Sequence, residues 1–386
     1  MTRLLVLFVL LTSTALSAQL NNPHNLPYTW RTDTTKKMEE LSELTMATQK
    51  DQLHTLDYPK FIHRKDKAFH FYEHEPVIAI QFGGRAKAYP LSLLTLFELS
   101  NDTLGGKHLM ITFCPMCNAA IVYNREVKVK GKAEKQLLHF GVSGLLQHND
   151  MVMYDKQTES WWEQMMGSAI VGELTGTNLE MMPAWLISVK EYYERFPDGE
   201  ILSPENMPLL VDKKHHRPFH HLNHDTKTMD TAFYIPEKVD PRLPPLERVL
   251  DIHSADHTTI YPFTELAHQP VINEVLDNMH YSIFYHGETV SVLDEDKLSR
   301  SRHIGTAVAY RTDIAGVNYT FHKSGHWFKD DQTGSLWDIT GFCREGSMKG
   351  KQLYLLPQSN HFAFAYLAFF PDCMIYSSEK HKNHHK

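Results

Sequence analysis

The sequence DKQTESWW at residues 155–162 recurs as DDQTGSLW at residues 330–337, about 175 residues later. Shorter matches occur in the same order at nearly the same spacing: YP at 89–90 and 261–262, MP at 182–183 with LP at 356–357, and FPD at 196–198 and 370–372. Self-similarity at a nearly fixed spacing indicates a repeated structural unit. We therefore predict two internally duplicated halves, residues 75–203 and 247–377, that pack together.

Each half alternates short apolar stretches of strand character with a few helical patterns, which predicts a strand-rich α+β fold. We expect helices over residues 91–99 and 185–196, and a hairpin formed by residues 107–113 and 119–124. The second half should keep that hairpin over residues 281–293, with its turn at 286–288. We interpret the repeated D-x-Q-T-x-S stretch as a structural turn, since Asp, Thr and Ser side chains readily bond nearby backbone amides.

Four further segments flank these halves. Residues 1–18 are typical of a secretory signal, because Arg3 precedes an apolar run at 4–11 and small residues follow near Ala18. That run is too short to span a bilayer. We therefore expect export to the periplasm or the cell exterior. Residues 19–74 are predicted to form a helical or extended N-terminal segment, residues 204–246 a His- and Pro-rich linker, and residues 378–386 a His- and Lys-rich tail.

The charge balance of the 386-residue chain excludes some partners. Lys and Arg number 39 against 46 Asp and Glu, for a net charge of −7, which disfavours a nucleic-acid binder that relies on a basic surface. Beyond the signal segment, no stretch is long and apolar enough for a stable membrane span. The sequence does not identify a substrate or a protein partner.

The segment Cys114-Pro115-Met116-Cys117-Asn118 lies between two apolar strands. Two thiolates this close can ligate one metal ion, and the turn resembles the knuckles of rubredoxins and zinc ribbons. Asn118 occupies a position where the backbone must be left-handed, which Asn tolerates. Copper(I) suits two thiolates with methionine nearby, whereas zinc suits two thiolates with histidine. The leading hypothesis is thus a transition-metal site, copper or zinc.

Two other interpretations of the cysteine pair stay open. A thiol–disulfide enzyme would use Cys114 and Cys117 as its redox pair, although such pairs usually precede a helix and this one precedes a strand. The pair could also be inert, in a non-catalytic binding or structural module.

Two further sets of sulfur-containing residues carry expectations. Cys343 and Cys373 in the second half could form a disulfide. The paired methionines at 165–166 and 181–182 are expected in the core, although methionine can also ligate copper(I).

Other residues of the first half are candidate helpers of this site. In falling order they are His148, Asp150, His139 and Glu98, which could supply ligands or a general base. The loop at residues 145–150 has no counterpart in the second half, and neither do the two cysteines: the repeat spacing places His286 and Thr289 at their positions. The pair was therefore either lost from one half or gained by the other, in a fold that forms without it, which favours a functional role in the first half.

These motifs resemble those of a family of secreted bacterial proteins known as domain of unknown function 3179. The matching stretches, which span about residues 70–377, are AYPL at 88–91, NDTLGG at 101–106, CPMC at 114–117, FGVSGLL at 140–146, MYDKQTES at 153–160, TGSLW at 333–337 and FAY at 364–366. The chain departs from the family at two positions. It has Phe97 where a His often precedes the position of Glu98, and it has Asn118 where a Gly often follows the second Cys. The resemblance implies export and a shared fold, but no established activity.

Overall fold

The computed structural model of the protein describes residues 30–129, 131–206, 239–254, 257–295 and 297–378. The predicted signal segment, most of the His-rich linker and nearly all of the tail lie outside the described residues. No helix in the described part of the chain is long and apolar enough to cross a membrane. Residues 30–74 contain short strands and one 3₁₀ turn.

The fold consists mostly of strands, as the alternating pattern predicts. Up to residue 202 the strands are β1 (Leu44–Met46), β2 (Leu56–Asp57), β3 (Phe61–His63), β4 (Pro76–Phe82), β5 (Arg85–Pro90), β6 (Leu99–Leu104), β7 (Lys107–Cys114), β8 (Ala119–Asn124), β9 (Glu126–Val127), β10 (Gln136–Leu137), β11 (Phe140–Gln147), β12 (Asp150–Asp155), β13 (Trp161–Glu163), β14 (Ser168–Val171), β15 (Glu180–Met181), β16 (Trp185–Ser188) and β17 (Glu200–Leu202).

From residue 248 onward, the strands are β18 (Arg248–His253), β19 (Thr258–Pro262), β20 (Val271–Leu276), β21 (Met279–His286), β22 (Thr306–Arg311), β23 (Asp313–Ile314), β24 (Val317–Asn318), β25 (Phe321–Ser324), β26 (Trp327–Asp330), β27 (Leu336–Trp337), β28 (Cys343–Glu345), β29 (Tyr354–Leu355), β30 (Asn360–Phe362) and β31 (Met374–Ile375). The α-helices are α1 (Leu91–Phe97), α2 (Val189–Arg195), α3 (Phe263–His268) and α4 (Ala363–Phe369), and the 3₁₀ turns are Leu41–Glu43, Pro204–Asn206 and Leu298–Arg300.

These strands form three larger sheets in each half. The strand orders in the first half are β16-β4-β5-β17-β3, β15-β8-β7-β6-β2 and β1-β11-β12-β13-β14. Those in the second half are β30-β18-β19-β31, β20-β21-β22-β29 and β25-β26-β27-β28. One hydrophobic cluster contains side chains of both halves, such as Phe113 and Phe362, which are each 0% exposed. The two halves therefore share a core.

The repeated D-x-Q-T-x-S stretch is the structural turn that the sequence predicts. The buried Asp155 carboxylate accepts hydrogen bonds from the Thr158 amide (2.7 Å) and the Trp162 indole (3.0 Å). Asp330 makes the same two bonds, from the Thr333 amide and from the Trp337 indole (2.9 Å). In each half this carboxylate ties the turn to a buried tryptophan of the following strand.

Both predicted helices are shorter than expected. Residues 185–188 are not helical but form strand β16, which pairs antiparallel with β4, because Trp185 and Ile187 alternate into the core as strand residues do. Helix α2 begins only after Ser188, whose hydroxyl accepts from the Glu191 amide (3.2 Å) while the Glu191 carboxylate accepts from the Ser188 amide (2.6 Å). Helix α1 ends at Phe97, since Glu98 has a left-handed backbone (φ 58°).

The predicted hairpin over residues 281–293 is wrong. Strand β21 pairs instead with β22, in register Tyr281↔Arg311 to His286↔Thr306. The intervening residues reach the first half, where the Val290 amide donates to the carbonyl of His74 (3.0 Å). The alternating apolar residues 290–293 have the sequence pattern of the second strand of a hairpin, but their side chains pack in the core shared with the first half.

Candidate metal centre

The two cysteines lie at a tight hairpin turn, as predicted. Cys114 is the last residue of β7 and pairs with Ala119, the first of β8. Asn118 has a left-handed backbone (φ 52°), which its short polar side chain tolerates. Cys114 is 1% and Cys117 0% exposed. The turn thus holds both sulfurs inside the protein.

A second hairpin brings a carboxylate to this turn. Strands β11 and β12 are joined by His148 and Asn149, whose φ values of 49° and 69° are both positive, as a two-residue type I′ hairpin requires. Asp150 is the first residue of β12 and pairs with Gln147. The hairpin β25–β26, which lies before the second repeated turn, is shorter: its last residue pair before the turn is Ser324↔Trp327. The extra length of β11–β12 is therefore what delivers Asp150.

Cys114, Cys117 and Asp150 form a compact, buried group. One ligand atom from each, the two Sγ atoms and a carboxylate oxygen, lie within 4.8 Å of one another. The Asp150 carboxyl group lies against the two thiols and the Glu163 carboxyl group. Its Oδ2 atom accepts from the Met165 amide (3.0 Å), whereas its buried Oδ1 atom accepts from no amide or hydroxyl in the described residues. Buried oxygens are rarely left in this way. In the described part of the chain, no other set of three such side chains is this compact.

Glu163 adds a second buried carboxylate beside Asp150. Its oxygens accept from the amides of Met165 (2.8 Å) and Met166 (2.7 Å), and the side chain is 0% exposed. The Met165 amide is thus shared between the two carboxylates. The sequence analysis did not identify Glu163. The feature that could have indicated it is an acidic residue at the end of an otherwise apolar strand, directly after the repeated turn.

Burial and acidic neighbours make these groups hard to ionise. Burial raises the pKa of the Cys117 thiol well above its ordinary value, and Cys114 and Asp150 raise it further. Burial and then Cys114 raise the pKa of Asp150, while burial and then Asp150 raise that of Glu163. Negative charge in this cluster therefore needs a cation beside it.

The other candidate helpers lie outside this group. The His148 ring packs edge-on against Phe369, with ring centroids 5.1 Å apart. His139 pairs with Asp57 (2.8 Å) in a partly exposed position. Glu98 is buried, and its backbone carbonyl accepts from the Phe113 amide (2.8 Å), next to Cys114 in sequence. Of the predicted site residues, the structure brings together Cys114, Cys117 and Asp150, but not these three.

Glu98 supports a prediction about stability. Burial raises the pKa of its carboxyl to about 8, against roughly 4.3 in an unfolded chain. Between these pH values the folded protein keeps a proton that the unfolded chain has lost, so stability falls as pH rises, by about 1.4 kcal/mol per pH unit. Glu98→Gln should make the fall in unfolding free energy less steep by about 1.4 kcal/mol per pH unit and should be more stable than the wild type at pH 8, as measured by urea unfolding from pH 5 to pH 9.

The matched control is Glu43→Gln, since Glu43 is exposed. It should leave the pH dependence of stability unchanged. A Glu98→Gln variant whose unfolding free energy still falls between pH 5 and pH 8 as steeply as that of the wild type would show that Glu98 is not the group responsible.

The remaining cysteines are separate from the cluster and from each other. All four cysteines are free thiols. Cys343 packs in the same core cluster as Trp337, whereas Cys373 belongs to a different core cluster, the one that contains Phe113 and Phe362. The structure therefore does not pair Cys343 with Cys373.

The second half closes over the cysteine turn. The Phe362 amide, just before α4, donates to the Cys117 carbonyl (2.7 Å), and the Ser359 hydroxyl donates to the Ala120 carbonyl (2.7 Å). His286 ends β21 as Cys114 ends β7, and it forms a buried ion pair with Glu191 of α2. Contacts between the halves thus occur both at the cysteine turn after β7 and at His286 at the end of β21, but only the turn after β7 carries cysteines.

Comparison with models of known protein families gives a match over residues 50–373 to a family described as a protein of unknown function (DUF3179). Neither the curated proteins nor the solved structures contain a match to this chain.

Proposed function

Because this chain belongs to the DUF3179 family, whose function is unknown, its own residues must indicate its activity, and we propose that it binds one thiophilic transition-metal ion through Cys114, Cys117 and Asp150. The observation that carries the proposal is the compactness of this buried group: one Asp150 oxygen and the two sulfurs lie within 4.8 Å of one another, and the Asp150 Oδ1 atom accepts from no amide or hydroxyl in the described residues. A metal ion would satisfy that oxygen and neutralise the thiolates together.

The donor set fits zinc and copper(I). Two thiolates and one carboxylate are common zinc ligands, with a fourth position left for solvent or another side chain. Two thiolates alone suit copper(I). Glu163 would support the site from behind, since it shares the Met165 amide with Asp150. Because the pKa values of Cys117 and Asp150 are raised, metal binding near neutral pH would displace protons from this cluster.

Thiol–disulfide exchange by the same cysteines is the second candidate. The observation in its favour is that Asp150 lies close enough to the thiols to accept a proton from one of them. Against it, redox cysteines are usually exposed and have lowered pKa values, whereas Cys117 is 0% exposed and its pKa is raised. Metal binding therefore explains the burial better.

The proposal places this site in an exported, duplicated protein. The signal-like residues 1–18 support export, and an exported site would meet metal ions outside the glutathione-buffered cytosol. The matching hydrogen bonds of Asp155 and Asp330 support a common origin of the two halves. In this scheme the first copy acquired the two cysteines and the longer β11–β12 hairpin.

The direct test is elemental analysis of the purified protein after exposure to Zn²⁺ or Cu(I) and removal of loosely bound metal. We expect about one ion per chain. Cys114→Ser/Cys117→Ser should bind none tightly, whereas the control Cys343→Ser/Cys373→Ser, which removes the two buried thiols outside the cluster, should keep the full content.

Two results would reject the metal assignment. One is a wild-type protein that takes up neither ion; the other is undiminished metal content in a folded Cys114→Ser/Cys117→Ser variant. The redox alternative instead predicts a reversible loss of two free thiols under mild oxidation, and a mixed disulfide trapped by either single serine variant.

A further inference from the structure

A cavity of about 400 Å³ opens between the two halves. Its lining includes Tyr123 and three methionines of the first half, Met165, Met166 and Met181, and His253 of the second half. Three thioether side chains around one cavity are unusual enough to need a reason, since most surface pockets are lined by aliphatic and aromatic groups.

The methionines lie at different depths. Met166 is 40% exposed, Met181 is half-buried, and Met165 is only 4% exposed. They therefore present sulfur-containing side chains from the mouth of the cavity to its inner wall. Methionine side chains are flexible and polarizable, so they can adapt to an ion that moves among them.

Histidine is not a free donor in this cavity. The His253 Nε2 atom pairs with Asp251 (2.8 Å) and also contacts the Tyr366 hydroxyl (3.1 Å), while its Nδ1 atom contacts the Thr258 hydroxyl (3.0 Å). Both ring nitrogens are engaged. The cavity therefore offers soft, neutral thioethers, which suit copper(I) and bind zinc poorly.

One residue of the cavity lining, Met165, also stabilises the buried metal-binding cluster. Met165 lines the cavity, and its own amide donates to Asp150 (3.0 Å). The Tyr123 hydroxyl, on another wall, donates to the carbonyl of Gln164 (2.6 Å). Met165 therefore belongs both to the lining of the cavity and to the support of the cluster of Cys114, Cys117 and Asp150.

We propose that the methionine-lined cavity captures copper(I) and passes it to Cys114 and Cys117, an inference that rests on the proposed metal site. The thioethers carry no proton for the ion to displace, and Met166 is 40% exposed, so these side chains can accept the ion directly from solvent. In the transfer, bonds from copper to thioether sulfur break and bonds to the two thiolates form. Copper stays in the +1 state, and each thiol that becomes a ligand loses one proton to solvent.

The test measures how fast the full-length, reduced protein takes copper(I) from its coloured complex with bicinchoninate under anaerobic conditions. Met165→Leu/Met166→Leu/Met181→Leu keeps the apolar volume but removes the sulfurs. It should take up copper at least about tenfold more slowly, and still reach the same final content. Zinc uptake from a zinc-loaded dye should keep its wild-type rate.

Two further variants guard against misfolding and non-specific effects. Met166→Leu/Met181→Leu leaves buried Met165 intact and should also slow copper uptake. Met38→Leu/Met374→Leu, at positions 57% and 47% exposed outside the cavity, should not. Wild-type copper uptake by the triple variant would overturn the proposal, as would equal slowing of copper and zinc, which would indicate a general loss of access.

The cysteine variant separates this inference from the function on which it rests. In Cys114→Ser/Cys117→Ser, tightly bound copper should disappear, but a weaker copper(I) site should remain and should be lost when the three methionines are also changed. Tight copper in the cysteine variant refutes the proposed site. A cysteine variant with no weak copper site refutes the role of the cavity.

Discussion

Asp150→Asn is expected to weaken zinc binding about a hundredfold or more while leaving the metal-free protein at least as stable as the wild type at pH 8. The amide keeps the shape of the carboxylate but carries no charge for the ion. In the metal-free protein, burial and then Cys114 raise the pKa of Asp150. An acid whose pKa is raised on folding costs stability as pH rises above its unfolded value, and asparagine removes that cost.

The combination of the two measurements is what identifies a ligand. Zinc affinity would come from competition with a coloured chelator, and stability from urea unfolding of the metal-free protein. Asp198→Asn, at an exposed position, should change neither quantity. A variant that keeps wild-type affinity but loses several kcal/mol of stability would instead make Asp150 a structural residue.

The sequence predicts the parts of this site that depend on neighbouring residues. The turn from Cys114 to Asn118 follows from residue types at fixed spacing, and the left-handed backbone of Asn118 is as expected. Which residue of the loop at 145–150 enters the site is harder to predict. His148 forms the tip of the hairpin, while Asp150 opens the next strand opposite Gln147. The position of the two-residue turn decides between them, because it places His148 in the turn and Asp150 in the strand, and that position depends on the register of β11 and β12.

Contacts that are distant in sequence were the least predictable. Glu163 belongs to β13, and its position beside Asp150 follows from the pairing Val152↔Glu163, which local patterns do not reveal. Likewise, Val290, Val292 and Leu293 pack against side chains of the first half. The alternating pattern at residues 290–293 predicts that these side chains are buried, but it does not predict which part of the chain they contact. The strand-rich class, in contrast, follows from short-range alternation alone.

Asp330→Ala is expected to destabilise the protein by about 3–5 kcal/mol, and Asp155→Ala by a similar amount. Both carboxylates are 0% exposed. Removing Asp330 leaves the buried Trp337 indole, which donates to it at 2.9 Å, without an acceptor inside the core, and it also removes the hydrogen bond from the Thr333 amide. Buried donors without partners are costly. The measurement is urea unfolding followed by tryptophan fluorescence.

The neighbouring Asp331 provides the control for that loss. Asp331 is exposed and bonds only at the surface, to Thr320 and His322, so Asp331→Ala should cost less than about 1 kcal/mol. If the turn is purely structural, Asp330→Ala protein that is still folded should bind the same amount of metal per chain as the wild type. A variant of either buried aspartate that is as stable as the wild type would contradict the structural interpretation, since each aspartate accepts the hydrogen bond of a buried indole.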